Sequence, residues 1–517
     1  LTDSDGVPLL QASATIIDYK TGQVKVLIGG RGNQPSASLN RAYFDLKSIG
    51  STTKPLTVYG PAIDTKLITA GTPLDDTSVS EEILEKYNFG SVVPKNADGS
   101  MFGYITAREA LTYSKNLTSI KTVDMLGLDT ALNYGKKAGL KYAPQSHTMS
   151  ALALGQFDQP IGNRDGGNTT ILASAYGAFG NNGVIYEPAL YTKVEDASGN
   201  LLLEKEPIST KLFSPQTSYI IYDILKGSST SAQFNDIPVA GKTGTTNSSD
   251  NFWFAGLTPY YSGSVWIGYD NPQRMNGRSS SAASLFSKIM AVAHEGLEYK
   301  DIEKPSGLVE AKVCKDSGKS PTDLCYEDQR GNRVKTEYFI DGTQPKSVCD
   351  IHVSVSVNSS NNKLANKNTP SRLIEDKVFI NKPNANPNAD DYPFVVPTRE
   401  DDTKAEEYIK LSEIGLRADM DLYDAIVILN NRGIKYKIHG ASVASNISSG
   451  QYTLVSFTEK IKNSETVKLN VKVTTNTPDE NIGNNGNNHN RDTSTSDTDA
   501  EAHRTSISDI INGLFNH

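Results

Sequence analysis

The sequence lacks the long apolar runs and the excess of positive charge that would indicate a membrane span or a nucleic-acid partner. No run approaches the roughly 18 apolar residues that a membrane-spanning helix requires, and no signal peptide is recognisable. The formal net charge of −8 argues against nucleic acid. The 517 residues, 37% of them hydrophobic, suffice for a large core with additional segments. Because the chain starts at Leu1 and not at methionine, we expect it to be a fragment.

A serine with a lysine three residues later, at Ser51 and Lys54, is the first candidate for catalysis. This spacing places a nucleophile and a base on one helical face. A glycine precedes the serine and an apolar pattern follows the lysine, which predicts a helix N-terminus. A second S-x-x-K pattern, Ser360 to Lys363, lies in a Ser- and Asn-rich run without apolar neighbours, and we reject it.

A second lysine near Lys54 would help to keep its amine neutral, as a base must be. Lys242 to Gly244 reads K-T-G in a run of small residues that resembles a strand edge open to a substrate backbone. The other K-T-G, Lys20 to Gly22, lies between two β-like runs, and we interpret it as a hairpin turn.

Ser114 and Asn116 complete the set, because they follow a helical stretch and lie between the other two motifs in the chain. Ser249 to Asn251 also spells S-D-N, but it directly follows the lysine motif and leaves no separate element to carry it across a cleft. The order S-x-x-K, S-x-N, K-T-G is the signature of class A β-lactamases and penicillin-binding proteins.

The sequence around these motifs resembles class A penicillin-binding proteins of Gram-positive bacteria over roughly residues 10 to 355. Five stretches outside the three signature motifs carry this similarity. They are Leu39 to Ala42, Ala178 to Val184, Ser214 to Thr217, Gly241 to Thr246 and Trp253 to Pro259. The resemblance implies an α+β fold, an antiparallel sheet flanked by helices as in serine β-lactamases. It also implies a location at the outer face of the cytoplasmic membrane.

The resemblance further implies a peptidoglycan D,D-transpeptidase that β-lactams inhibit. Ser51 would attack the penultimate D-alanine of a stem peptide ending in D-Ala-D-Ala, with Lys54 as its base. Ser114 would relay a proton to the leaving amine, Lys242 would help to keep Lys54 neutral, and Asn116 would bind the substrate amide. No cofactor is expected.

Substrate binding is assigned by the same resemblance to the K-T-G strand. Thr243, Gly244 and Thr245 would bind the substrate, with the hydroxyls of Thr243 and Thr245 on its terminal carboxylate. The backbone N–H groups of Ser51 and Thr245 would form the oxyanion hole.

Three other functions remain open at this point. A D,D-carboxypeptidase would share every motif and pass the acyl group to water. A β-lactamase would need a glutamate-bearing loop, and residues 159–168 contain no glutamate. A protein that binds the cell wall or senses β-lactams would not need catalysis. No E-D-x-x-F-x-x-H type motif of a glycosyltransferase domain occurs, so we do not predict glycan polymerisation for this chain.

The three cysteines, Cys314, Cys325 and Cys349, all follow the catalytic region. A Cys₃His zinc site can be drawn with His352, three residues after Cys349. We prefer one disulfide with a spare thiol, which an outside-facing protein can hold, and we predict no metal. The other histidines are scattered.

The composition predicts five segments. Residues 1–303 form the transpeptidase domain, 304–355 a cysteine-containing extension, and 356–402 an Asn-, Ser- and Pro-rich linker. Residues 403–475 combine one helix with alternating strands, a pattern that resembles a PASTA domain and could contact the cell wall. Residues 476–517 form a tail predicted to be disordered.

Overall fold

The computed structural model describes residues 2–4, 6–157, 164–403, 409–440, 442, 447–462 and 465–474. The chain divides into two compact units, residues 1–405 and 406–517, which we describe separately. None of the described helices is long and apolar enough to cross a bilayer. The predicted disordered tail, 476–517, lies outside the described residues.

The first unit contains nine of the described α-helices and fifteen of the described strands. The helices are α1 (Gly60–Asp64), α2 (Glu81–Lys86), α3 (Ala107–Thr112), α4 (Asn116–Leu126), α5 (Leu128–Lys137), α6 (Met149–Leu154), α7 (Thr169–Gly177), α8 (Pro215–Lys226) and α9 (Ser280–Ala293). The strands are β1 (Leu10–Asp18), β2 (Gln23–Ile28), β3 (Pro73–Asp76), β4 (Gly103–Thr106), β5 (Val184–Tyr186), β6 (Lys193–Glu195), β7 (Leu201–Glu204), β8 (Ser209–Lys211), β9 (Ala240–Thr245), β10 (Asn251–Leu257), β11 (Ser262–Tyr269), β12 (Leu308–Cys314), β13 (Val334–Ile340), β14 (His352–Asn358) and β15 (Ile374–Ile380).

A five-stranded antiparallel sheet in the order β2-β1-β11-β10-β9 organises this unit. The central strands β10 and β11 are buried along most of their length, which fits their apolar and small residues. The strand that carries Lys242, β9, is an edge strand, and its Lys242 pairs with Ala255 of β10. The predicted α+β fold with helices around an antiparallel sheet is confirmed.

Separate apolar cores flank the sheet. One contains Phe252 and Phe254 of β10 together with Phe286 of α9. The ring centroids of Phe254 and Phe286 lie 4.7 Å apart. The other contains Trp253 of β10, Trp266 of β11 and the helices that carry the candidate site. Successive residues of a strand point to opposite faces, so one strand supplies aromatic side chains to both cores.

The segment 356–402, predicted to be a linker, is folded into the first unit. Its strand β15 pairs with β14 along seven residues. Asp401 accepts hydrogen bonds from the side chains of Asn358 (3.0 Å), Asn361 (3.0 Å) and Thr369 (2.7 Å), which ties the intervening chain together. The structure departs from the linker prediction, because these polar contacts and the buried Val378, Phe379 and Ile380 of β15 hold the segment in place.

The second unit combines one described helix with short strands. They are α10 (Leu422–Asn430), β16 (Ile409–Lys410), β17 (Tyr436–Gly440), β18 (Tyr452–Phe457), β19 (Lys460–Ile461) and β20 (Val467–Val473). Strand β20 lies between β17, to which it is parallel, and β18, to which it is antiparallel. Leu422, Ala425 and Leu429 of α10 belong to its apolar core. The resemblance to a PASTA domain stays a prediction.

Candidate active site

The Ser51 segment begins with one turn of 3-10 helix, Gly50–Thr53, and continues through a wider turn, Pro55–Tyr59, into α1. Pro55 is tolerated because it occupies the first position of the wider turn, where no intrahelical N–H is needed. Ser51 is partly exposed, whereas Lys54 is fully buried. The predicted helix therefore forms, with an irregular first turn.

Glycines bring this segment into direct backbone contact with β9. Gly50 adopts φ +55°, and a Cβ added there would lie 2.5 Å from the carbonyl oxygen of Thr245. A Cβ added at Gly244 would lie 2.4 Å from the carbonyl oxygen of Ile49. Neither position has room for a side chain, so the spacing between Ser51 and the K-T-G strand is set by the two backbones.

The Lys54 amine is held by three oxygen atoms of the Ser114–Asn116 loop. Its Nζ donates to the carbonyls of Ser114 (2.6 Å) and Lys115 (3.1 Å) and to Oδ1 of Asn116 (2.8 Å). Burial lowers the pKa of Lys54 well below its ordinary value, and the charge of Lys242 lowers that pKa further. The three acceptors favour the charged amine, whereas burial and the charge of Lys242 favour the neutral form that a base requires, and burial is the larger effect on the pKa.

The loop that receives Lys54 connects α3 to α4. Ser114 adopts φ +61°, a conformation that is uncommon for a residue other than glycine. Asn116 begins α4, and its Nδ2 donates to the carbonyl of Lys95 at 3.0 Å. The structure therefore places the main-chain carbonyl of Ser114 and the side chain of Asn116 at the Lys54 amine, and the roles assigned to the two side chains stay predictions.

A cavity of about 470 Å³ joins the three motifs. Its wall includes Ser51, Ser114, Asn116, Thr243 and Thr245.

The remaining predicted residues lie beside this cavity. Lys242 is buried in β9, and burial lowers its pKa to about 8. Gly244 is not among the residues that line the cavity and instead provides the close approach to Ile49.

The rejected motifs have other environments. Lys20 lies in the turn between β1 and β2, where its N–H donates to Asp18. Ser360 donates to Oδ1 of Asn358, and Lys363 pairs with Asp402. Ser249, although rejected as a motif, lines the same cavity as Ser51.

Sequence reasoning missed the residues that support the Ser114–Asn116 loop. Oδ1 of Asn96 accepts from the backbone N–H groups of Asn116 (2.7 Å) and Leu117 (3.2 Å). Nδ2 of Asn96 donates to the buried carboxylate of Asp76 at 2.7 Å. Asn96 thereby holds the first turn of α4, and no local pattern in the sequence marks it.

Lys115 was also missed, although it stands inside the S-x-N motif. It is buried, and its Nζ bonds Oγ of Ser100 (2.6 Å) and pairs with Asp98 (3.0 Å). Its amine also lies 3.5 Å from the centroid of the Phe102 ring. Its burial depends on contacts to residues distant in sequence, and no local pattern in the sequence indicates it.

The similarity to known proteins agrees with this geometry. Residues 12–291, more than half of the chain, match the family model of the penicillin-binding protein transpeptidase domain. The chain belongs to this family. Residues 304–354 match the C-terminal domain of penicillin-binding protein 1A. The resemblance to penicillin-binding proteins of Gram-positive bacteria is confirmed by these two matches together with the Clostridium relatives described next.

Among curated proteins, the chain is similar to penicillin-binding protein 1A from Clostridium perfringens, with 52% identity over 377 residues, which cover 71% of this chain and 45% of that protein. Penicillin-binding protein 1A from Clostridium botulinum is 44% identical over 390 residues, 73% of this chain and 46% of that protein. The chain thus spans less than half the length of these relatives. Penicillin-binding protein 1A from Haemophilus influenzae has the same fold, with a TM-score of 0.55 at 21% identity, over 68% of this chain and 57% of that one.

Proposed function

We propose that this chain is a peptidoglycan D,D-transpeptidase that works through an acyl-enzyme on Ser51. The observation that carries the proposal is the convergence of Ser51, the Ser114–Asn116 loop and the K-T-G strand on one cavity, with a buried Lys54 between them. The substrate would be a stem peptide ending in D-Ala-D-Ala, and β-lactams would be acylating inhibitors. We place the reaction at the outer face of the cytoplasmic membrane.

In the acylation step, Oγ of Ser51 attacks the carbonyl carbon of the penultimate D-alanine. Neutral Lys54 accepts the Ser51 proton, because its lowered pKa favours the neutral amine. The Ser114 hydroxyl passes its proton to the nitrogen of the terminal D-alanine and regains one from protonated Lys54, and the bond between this nitrogen and the carbonyl carbon breaks. The products are a Ser51 ester and free D-alanine.

The K-T-G strand binds the substrate. In its protonated form Lys242 attracts the terminal carboxylate, which accepts hydrogen bonds from the hydroxyls of Thr243 and Thr245. The backbone N–H groups of Ser51 and Thr245 stabilise the oxyanion, a contribution of about 3 to 4 kcal/mol per donor. The direct contact between Gly50 and Thr245 supports this assignment, because it fixes the distance between the two segments that supply these donors.

In the second step, an amine of a neighbouring stem peptide attacks the ester. A new amide bond forms, the Ser51 oxygen regains a proton, and the product is a cross-link. Hydrolysis of the same ester would make the protein a D,D-carboxypeptidase.

Labelling with a fluorescent penicillin tests the acyl-enzyme. We expect one labelled peptide, containing Ser51, by mass spectrometry, and no label in Ser51→Ala. Ser360→Ala is a matched control, because it removes the serine of the other S-x-x-K motif and should label normally. Label that persists in Ser51→Ala would contradict the assignment.

A product assay separates the two fates of the ester. A donor stem peptide is supplied with and without an amine acceptor, and cross-linked and hydrolysed products are quantified. Cross-linked product that depends on both the acceptor and Ser51 supports the transpeptidase. Hydrolysis alone, at any acceptor concentration, would favour the carboxypeptidase.

A further inference from the structure

The three cysteines and His352 meet in one buried cluster of the cysteine-containing extension, far apart in sequence from Ser51. Cys314 ends β12, Cys325 lies in a short 3-10 turn, Cys349 precedes β14, and His352 begins it. All four are buried, and their three sulfur atoms and one ring nitrogen lie within 4.8 Å of one another. Four potential metal ligands thus converge from three separate parts of the fold.

The three distances among Cys314, Cys349 and His352 match tetrahedral coordination, and the Cys325 sulfur lies within 4.8 Å of these atoms. Sγ of Cys349 lies 3.7 Å from Sγ of Cys314. Nδ1 of His352 lies 3.5 Å from Sγ of Cys314 and 3.4 Å from Sγ of Cys349. A tetrahedral zinc ion with Zn–S of about 2.3 Å and Zn–N of about 2.0 Å would separate two sulfurs by about 3.8 Å and a sulfur from a nitrogen by about 3.5 Å.

The groups around the cluster orient the ligands. Nε2 of His352 is hydrogen-bonded to Oδ2 of Asp328 at 2.9 Å, and Asp328 is in turn paired with Arg330 at 2.7 Å. Metal-bound histidines commonly donate their second ring nitrogen to a carboxylate, which directs the other nitrogen to the ion. The backbone N–H of Thr322 donates to Sγ of Cys325 at 3.4 Å, as is suitable for a thiolate.

A disulfide explains the cluster less well. The three cysteines are free in the structure, whereas the sulfurs of a disulfide are about 2.05 Å apart. A disulfide would use two cysteines and leave the third thiol and Nδ1 of His352 buried without a function. Our preference for a disulfide with a spare thiol therefore does not agree with the structure, because the sequence spacing did not show that all three sulfurs face one histidine nitrogen.

We propose that Cys314, Cys325, Cys349 and His352 bind one Zn²⁺ ion. Three thiols lose their protons to solvent on binding, neutral His352 supplies Nδ1, and no electron is transferred. Thiolates and imidazole are ligands that favour zinc. Four protein ligands leave no open position, so the ion has a structural role and does not take part in acyl transfer.

The ion would join β12, the Cys325 turn and β14 in an extension that contacts the catalytic body. Glu337 of the neighbouring strand β13 accepts a 2.6 Å hydrogen bond from Arg108 of α3, the helix that leads to Ser114. Lys315, next to Cys314, pairs with Glu109 of α3 at 2.7 Å. Loss of the metal should therefore destabilise the extension first.

Metal content and thiol titration test the proposal on the same protein, purified without chelators or added metal. We expect about one zinc per chain by plasma mass spectrometry. After denaturation with a chelator and without reductant, all three cysteines should react with a thiol reagent. A single reactive thiol that becomes three only after reduction, without bound zinc, would establish the disulfide and overturn the proposal.

Substitutions locate the site. Cys325→Ser and His352→Gln should lower the zinc content at least about tenfold, whereas His294→Gln, which changes a buried histidine outside the cluster, should retain it. Binding of Co²⁺ to the unmodified chain is measured as well, so that the test does not depend on whether the variants fold. A tetrahedral Co²⁺ spectrum with sulfur charge-transfer bands is expected, and failure of the metal-free chain to bind either Zn²⁺ or Co²⁺ would refute the proposal.

Discussion

Replacing Gly50 by alanine should separate the Ser51 segment from β9. The added Cβ would lie 2.5 Å from the carbonyl oxygen of Thr245. Ordinary contacts begin near 3.4 Å, so the strand or the Ser51 turn must move by up to about 0.9 Å. The moving atoms belong to the two segments that we assign to the oxyanion hole.

The expected loss of activity is larger than the expected loss of stability. A displacement of about 1 Å costs on the order of 10²-fold in rate, or about 2.7 kcal/mol of activation free energy. An alanine at positive φ costs roughly 1 to 2 kcal/mol of folding free energy. Gly90 provides a matched control, because it has φ +59° and no atom within 4 Å of an added Cβ.

The assay is the second-order rate of acylation by a fluorescent penicillin, measured together with thermal unfolding. Gly90→Ala should lose stability because of its backbone conformation and acylate at the wild-type rate. Gly50→Ala should acylate about 10²-fold more slowly while still folded. Wild-type acylation by Gly50→Ala would refute the contact as the determinant of this geometry.

Three further predictions concern the surroundings of the site. The acylation rate should rise with pH as Lys54 becomes neutral, at a pH well below the ordinary lysine pKa, and fall near pH 8 as Lys242 loses its charge. In Lys242→Gln the fall should disappear and the rise should move to higher pH, because the charge that lowers the pKa of Lys54 is gone. An unchanged pH profile in this variant would contradict these roles. Asn96→Ala should lower the free energy of unfolding by about 1 to 3 kcal/mol in urea and slow acylation by penicillin, because it leaves two N–H groups at the start of α4 without their acceptor. Asn96→Asp keeps the acceptor but sets a second carboxylate against buried Asp76, so it should lose at least as much stability, and wild-type stability and acylation in both variants would contradict this role. Arg108→Met should lower the free energy of unfolding in urea by about 3 to 5 kcal/mol, because it leaves buried Glu337 unpaired. The double variant Arg108→Met with Glu337→Leu should recover most of that free energy if the ion pair is the cause.

The parts of the site that could be predicted from sequence are those with local context. The apolar pattern after Lys54 predicts a helix, and the small residues around Lys242 predict an edge strand. Lys115 and Asn96 could not be placed, because their roles depend on contacts to Asp98, Ser100 and the first turn of α4 that no local pattern encodes.

The extension and the segment after it show the same limit. Composition alone predicted a linker where Asp401 gathers hydrogen bonds from several Asn and Thr side chains. Spacing alone left both a disulfide and a metal site open for the cysteines. Contacts between residues distant in sequence hold both regions together, and local patterns in the sequence carry no information about them.

Two of the three oxygen atoms that hold the Lys54 amine are main-chain carbonyls, those of Ser114 and Lys115. A carbonyl oxygen is present whatever amino acid the codon specifies, so single substitutions cannot delete these acceptors. A substitution at either position could move the amine only by changing the path of the loop. Single substitutions that change the cleft without changing this path therefore have to act through exposed side chains of its wall, such as Asn247.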